Sequence, residues 1–322
     1  MTRPTILFAL LLALALPLSL LAGRVWLVPE TPNAMVILME LRLPRALLAV
    51  TVGAGLGAAG AAMQGYLRNP LADPGLFGIA PGAALGAVIA LYFGLAGGWL
   101  LPLFALAGAG GAMALLALIA GRTASPAHGI ALFTLAGMMI ASLAGALTSL
   151  AISLAPNAFA MSSIVTWLMG ALTDRSWADV WLAAPLTLAG IVLLWLAGKS
   201  LDALTLGEQA ARSLGVQPGR LLGLLVLGTG LTVGSGVAVA GVIGFVGLVV
   251  PHLVRPFTDR APSSLIVPSA LAGALLVLLA DVACRLLPLV TELRLGIALS
   301  LLGAPFFLHL LLKMRRGASP WS

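Results

Sequence analysis

Charge is scarce in this chain. Asp, Glu, Lys and Arg make up only 8% of its 322 residues, against roughly 25% in a soluble domain. That shortfall excludes a soluble globular protein. Cysteine is nearly absent too: Cys284 stands alone, which excludes an internal disulfide framework and a cysteine-built metal cage. Also missing are the roughly ten-residue alternating segments of a membrane β-barrel. What the chain has instead is 61% apolar residues and a mean hydropathy of +1.13. Its 38 glycines and 20 prolines suit membrane helices, where small residues let backbones approach and proline is tolerated. The fold class is an all-α polytopic membrane protein. In a soluble protein the net charge of +7 would suggest nucleic acid. Here it reads as basic loops at the membrane surface, and no nucleic-acid partner is expected.

Apolar runs fall at about 5–22, 46–65, 75–93, 99–120, 129–154, 180–197, 221–240, 241–254, 264–283 and 295–312. A span needs roughly 20 residues, so ten spans are predicted, with the Gly- and Pro-rich 75–93 and the short 241–254 broken or tilted. The first run follows Arg3 but lacks a clean small-x-small cleavage site, and it is kept as a span. An even number of spans puts both termini on one side. That side takes Arg3, Arg68, Arg122, Lys199, Arg212, Arg220, Arg255, Arg260, Lys313, Arg315 and Arg316. The other takes Arg24, Arg42, Arg45, Arg175, Arg285 and Arg294. Eleven cations against six place the termini in the cytoplasm by the positive-inside rule. The layout is a single transmembrane domain over 1–322, with a polar cytoplasmic loop at 201–219.

That loop, LDALTLGEQAARSLGVQPG, is the longest clearly polar interruption between apolar runs. Thr205 and Glu208 have capping-box spacing, Gly215 is placed as a helix stop, and Pro218 bars immediate resumption. A short helix of about two to three turns is predicted outside the membrane, with an ordinary solvated loop as the alternative.

Other candidates for chemistry are weaker. Gly198-Lys199-Ser200 imitates the end of a phosphate-binding loop, but Leu193 stands where the first glycine is required. No nucleotide hydrolysis is expected in this chain. His128, His252 and His309 lack paired ligand spacing, and no metal site is expected. Asp281 and Arg285 are spaced to pair on one helix face; no acidic group is expected at mid-depth, as a proton relay would need. Gly53, Gly57, Gly60, Gly82 and Gly86 have the spacing of close helix contacts. The glycine-dense run from Gly228 to His252 predicts a break between two helices, covered by protein or lining water.

Six stretches in order resemble the permease subunit of FecCD-type (type II) ABC importers for iron chelates, haem and cobalamin. They are RLPR from Arg42, MQGYLRNPLADPGLFGIAPGA from Met63, LGEQAARSLG from Leu206, GVIGFVGLVVPHLVR from Gly241, LLADVACR ending at Arg285, and ELRLGIALSLLGAP from Glu292. The resemblance implies ten helices and a homodimer with the pathway on its two-fold axis. It also implies two separate ABC ATPase subunits that bind ATP and Mg, with no cofactor and no catalytic residue in this chain. Location would be the bacterial inner membrane. Leu206, Gly207, Glu208, Ala211, Arg212 and Gly215 would form the helix that couples to the ATPase. Arg42, Arg45 and Arg285 would be exposed periplasmic cations that meet a substrate-binding protein, where rim charges set encounter and register. The fifth and tenth spans would line the pathway, with Ser142, Gly145, Thr148 and Ser149 along it, and a gate at the loop from Thr123 through Ser125 to Ile130. Arg294 departs from the small or apolar residue expected between Glu292 and Gly296, and adds a cation that favours an anionic substrate. Rival classes are a secondary transporter or channel without an ATPase, and a structural membrane subunit with no conduit.

Overall fold

In the computed structural model, residues 3–23, 26–27, 31–95, 97–120 and 126–315 are described. Helix α1 is Arg3–Leu21 and α2 is Ala34–Leu67, the latter π-helical over Ile37–Arg42. There follow α3 (Ile79–Tyr92), α4 (Leu100–Ala120), α5 (Pro126–Ser153), α6 (Ala158–Leu168) and α7 (Trp177–Leu204). The chain continues with α8 (Glu208–Ser213), α9 (Pro218–Ala240), α10 (Val246–Val254), α11 (Pro262–Leu286) and α12 (Leu295–Arg315). Among the described residues, eight helices are long and apolar enough to cross a membrane. The two short elements at membrane depth, α3 and α10, are the two runs flagged as broken. Helix α6 was not anticipated. Its signal was Asn157, whose Oδ1 accepts from the Ala160 N–H at 2.8 Å and caps the helix.

Helix α2 is the post around which the bundle is built, with α7, α9, α10 and α11 packed on it. In lipid, packing and hydrogen bonds must supply the association, since hydrocarbon is as apolar as leucine. Glycine makes that packing possible. A Cβ on Gly53 would lie 2.3 Å from the Gly273 carbonyl oxygen, one on Gly57 2.1 Å from that of Ser269, and one on Gly60 2.0 Å from that of Gly247. Gly82 and Gly86 do the same for α3 against α4. The small-residue spacings read from the sequence are helix contacts.

Polar links complete the frame. Thr187 and Ser235 hydroxyls are 3.0 Å apart across α7 and α9. Buried Gln64 on α2 donates to the carbonyls of Gly247 and Leu248 and accepts from Arg255 Nη2 at 2.9 Å. One side chain thus ties α2 to both ends of α10, satisfying backbone that hydrocarbon would leave unpaired.

After α2 the chain turns back into the bundle. Arg68 takes the left-handed conformation (φ 50°), and the Asn69 and Arg68 N–H groups close onto Gln64 and Gly65. Phe77 then stacks on Phe133 of α5 at 5.2 Å, and Phe133 meets Tyr66 at 5.3 Å. Pro74 packs on Gly247, beside the carbonyl of Leu56, eleven residues before the end of α2. The segment 69–78 therefore re-enters to mid-depth, and α3 needs only 14 residues to reach the far end.

Candidate functional site

Three regions carry the residues singled out in the sequence. The first is α8, at one end of the bundle. It is a helix of six residues, shorter than the predicted two to three turns, and it has no capping box. Helix α7 runs on to Leu204, so Thr205 belongs to its last turn, and the hydroxyl donates to the Asp202 carbonyl at 2.7 Å. Gly207 takes the N-cap place at φ 100°, ψ 158°, a region open in practice only to glycine. The stop is as predicted. Val216 N–H bonds Ala211 O, Gly215 N–H bonds Arg212 O, and Gly215 has φ 88°, which is a Schellman motif. Ala211 is buried, while Leu206 and Leu214 flank the helix at 68% and 64% exposure. Glu208 and Arg212 stand at the start and end of this turn, and Arg212 is exposed.

The second region is mid-depth. Ser142, Gly145 and Ser149 share an exposed face of α5, and nothing lies within 4 Å of a Cβ on Gly145. Thr148 and Gly145 line a cavity of about 260 Å³ with Asp73, Pro81, Gly244 and Phe245. The predicted break is there: α9 ends at Ala240, Gly241 has φ 72°, and Phe245 has φ 67°. A left-handed phenylalanine is strained backbone, held where its ring packs on Gly303 of α12. Thr123 and Ser125 lie outside the described residues.

Asp73 corrects one expectation, since it is an acidic group at mid-depth. It falls in the gap between the apolar runs 46–65 and 75–93, where Asn69-Pro70 and Asp73-Pro74-Gly75 have the pattern of a surface turn, whereas the turn is tucked inside. One carboxylate oxygen accepts from the Gly75 N–H at 2.7 Å and caps the turn Pro74–Phe77. Asp73→Asn keeps an acceptor there, while Asp73→Ala leaves the N–H bare. Thermal unfolding of the detergent-purified protein should show the alanine variant about 1 kcal/mol less stable and the asparagine variant near wild type.

The third region is the opposite end, and here the picture of exposed cations fails for Arg285 and Arg45, while Arg42 is half-buried. Asp281 and Arg285 do pair, at 3.1 Å, on one face of α11. Arg45 joins them, donating from Nε and Nη2 to Asp281 at 3.0 and 2.9 Å and to Glu292 at 2.8 Å. Arg285 is 5% and Asp281 1% exposed. Arg285 also donates to the carbonyls of Ser19 and Ala22, and Arg42 to those of Leu20, Leu21 and Ala22. The two guanidinium groups thus satisfy the open carbonyls at the end of α1 and face its negative dipole end. Sequence spacing gave the i, i+4 pair but could not show the partners on α1 and α2. Arg294 reaches the Thr173 hydroxyl with Nη1 at 3.4 Å, in a cavity of about 370 Å³ shared with Asp174 and Arg175. Among the described residues no three or more His, Cys, Asp or Glu are grouped so as to hold a metal ion.

Comparison with known proteins fits this geometry. Residues 5–313 match the FecCD transport family. An uncharacterised ABC transporter permease, YvrB of Bacillus subtilis (strain 168), is 41% identical over 89% of this chain and 82% of its own length. The vitamin B12 import system permease BtuC of Salmonella paratyphi A is 39% identical over 96% of this chain and 94% of its own. A solved ABC transporter described as of the metal-chelate type, in an inward-facing conformation, superposes with a TM-score of 0.88 at 32% identity. It covers 96% of this chain and 98% of its own.

Proposed function

The chain belongs to the FecCD transport family, and from that premise we propose that it moves a bulky metal chelate (ferric siderophore, haem or cobalamin) inward across the bacterial inner membrane. It is an ABC transporter permease, a transport subunit. In this reading two copies enclose the conduit and two separate ATPase subunits, which bind ATP and Mg, drive it. The observation that carries the reading is α8. A single turn held between Gly207 and a Schellman stop, with Leu206 and Leu214 bare beside it, is built to be gripped by a partner. Its side of the bundle is then the cytoplasmic one, with both termini.

The mechanism follows from the three regions. A binding protein delivers the chelate at the end that holds Arg45 and Arg285. The arginines there brace α1, α2 and α11 into a platform, and docking uses its surface rather than their buried guanidinium groups. Closure of the ATPases on ATP pulls the α8 turns. Motion passes through α7 and α9 to the strained break at Gly241–Phe245 and on to α12. The faces of α5 with Ser142, Gly145, Thr148 and Ser149 offer small hydroxyls and no strong ligand, so cargo passes without being trapped. Arg294 adds a cation beside the mouth, suited to an anionic chelate.

The test is reconstitution. Chain and co-purifying subunits in liposomes, with binding protein, should take up one of labelled cobalamin, haem or a ferric hydroxamate only when ATP is supplied on the α8 side. Uptake driven by an ion gradient without ATP would instead favour a secondary transporter.

A further inference from the structure

The α8 end holds a second feature that transport does not explain. Between the end of α7 and the start of α9 lies a groove of about 510 Å³, lined among others by Lys199, Ser200, Gln217 and Arg220 over a floor of Leu196 and Leu224. Lys199 and Arg220 are both exposed, and neither has an acidic partner among the described residues. The nearest carboxylate in sequence, Asp202, is spent on the Ser263 N–H at 2.8 Å. Two like charges therefore share one cavity, with no ion-pair partner among the described residues.

The groove sits at the edge of the bilayer. On α7, Leu188, Val192 and Trp195 are exposed at 64%, 45% and 58%, and their spacing of four and three residues continues to Lys199 on one helix face. An exposed apolar stripe on a membrane-spanning helix suits lipid, with tryptophan fit for the interface level and lysine about one turn beyond it. On α9 the same spacing carries Arg220 to Leu224 and to exposed Leu227. Cations at the rim and leucines below match a phosphate headgroup above its acyl chains.

We propose that this groove binds an anionic phospholipid, its phosphate between Lys199 and Arg220 and one chain along Leu196 and Leu224. The site abuts Leu214 and Gly215, so a bound lipid braces the stop of α8. The assignment does not depend on what α8 grips.

The test is native mass spectrometry of the full chain with its co-purifying subunits, titrated with dioleoyl phosphatidylglycerol, dioleoyl phosphatidylcholine and soluble glycerol phosphate. Phosphatidylglycerol should bind at least tenfold more tightly than phosphatidylcholine, and glycerol phosphate should not displace it. Lys199→Gln with Arg220→Gln should weaken phosphatidylglycerol about 30-fold, from about fivefold per cation near a headgroup. Arg260→Gln, at the same end but outside the groove, should leave it unchanged. Equal binding of the two lipids, or an unaffected double variant, overturns the proposal. Displacement by glycerol phosphate makes this a free-anion site, and exclusion of lipid by a bound subunit assigns the groove to that partner; either result also overturns it.

Discussion

Replacing Gly207 with alanine or valine is expected to weaken ATPase association about 30-fold and to stop ATP-driven transport, while the membrane bundle stays folded. The cost is backbone alone, because nothing lies within 4 Å of the Cβ that either residue would add. At φ 100°, ψ 158° a non-glycine residue pays about 2 kcal/mol, equivalent to about 30-fold in a binding equilibrium. The connection from Thr205 to Gly207 is exposed or half-buried and relieves the strain by re-aiming α8. A helix of six residues has no stability of its own to resist this. Co-purification measured against thermal stability separates the two effects. Full association of Gly207→Val would show that α8 need not hold this pose.

Asp281→Ala is expected to cost about 3–5 kcal/mol of stability, the usual penalty for breaking a buried ion pair. The loss leaves Arg285, and most of Arg45, without their shared anion at 6% and 14% side-chain exposure. The ends of α1, α2 and α11 lose their common anchor together. Thermal unfolding in detergent should show the drop. Asp281→Leu combined with Arg45→Leu and Arg285→Met should recover much of it, since a packed apolar replacement of a buried ion cluster is often neutral. A wild-type melting curve for Asp281→Ala would contradict the pairing. The same geometry warns against testing docking by reversing Arg42, Arg45 and Arg285 together. Glutamate at 45 would face Asp281 and Glu292, so the fold would suffer before any interface was probed.

Much of this was legible in the sequence because lipid leaves few options. Apolar runs must be helices, so the eight spanning helices and the two short ones, α3 and α10, could be read from length and hydropathy. Gly53, Gly57 and Gly60 announced close packing, and Gly215 announced a stop. What misled was local pattern without tertiary partners. Thr205 and Glu208 had the right spacing for a capping box, but the continuation of α7 claimed Thr205. Asp73 looked like a surface turn because nothing local says that Pro74 will rest on Gly247. Arg45 and Arg285 looked exposed because their partners stand on other helices, Arg45 meeting Asp281 236 residues away and Arg285 reaching back to α1. Close intrahelical pairs can be read along a chain; clusters closed by long-range packing cannot.

The central claim is that α8 is the docking point for a separate ATPase. The most direct measurement is photo-cross-linking in the native membrane from a photoreactive residue placed at Leu206 or Leu214, with the product identified by mass spectrometry. The account predicts a nucleotide-binding subunit attached at both positions, lost in the Gly207→Val background. Cross-links only to lipid or to a second copy of the chain, with a nucleotide-binding subunit absent from the product, would contradict it.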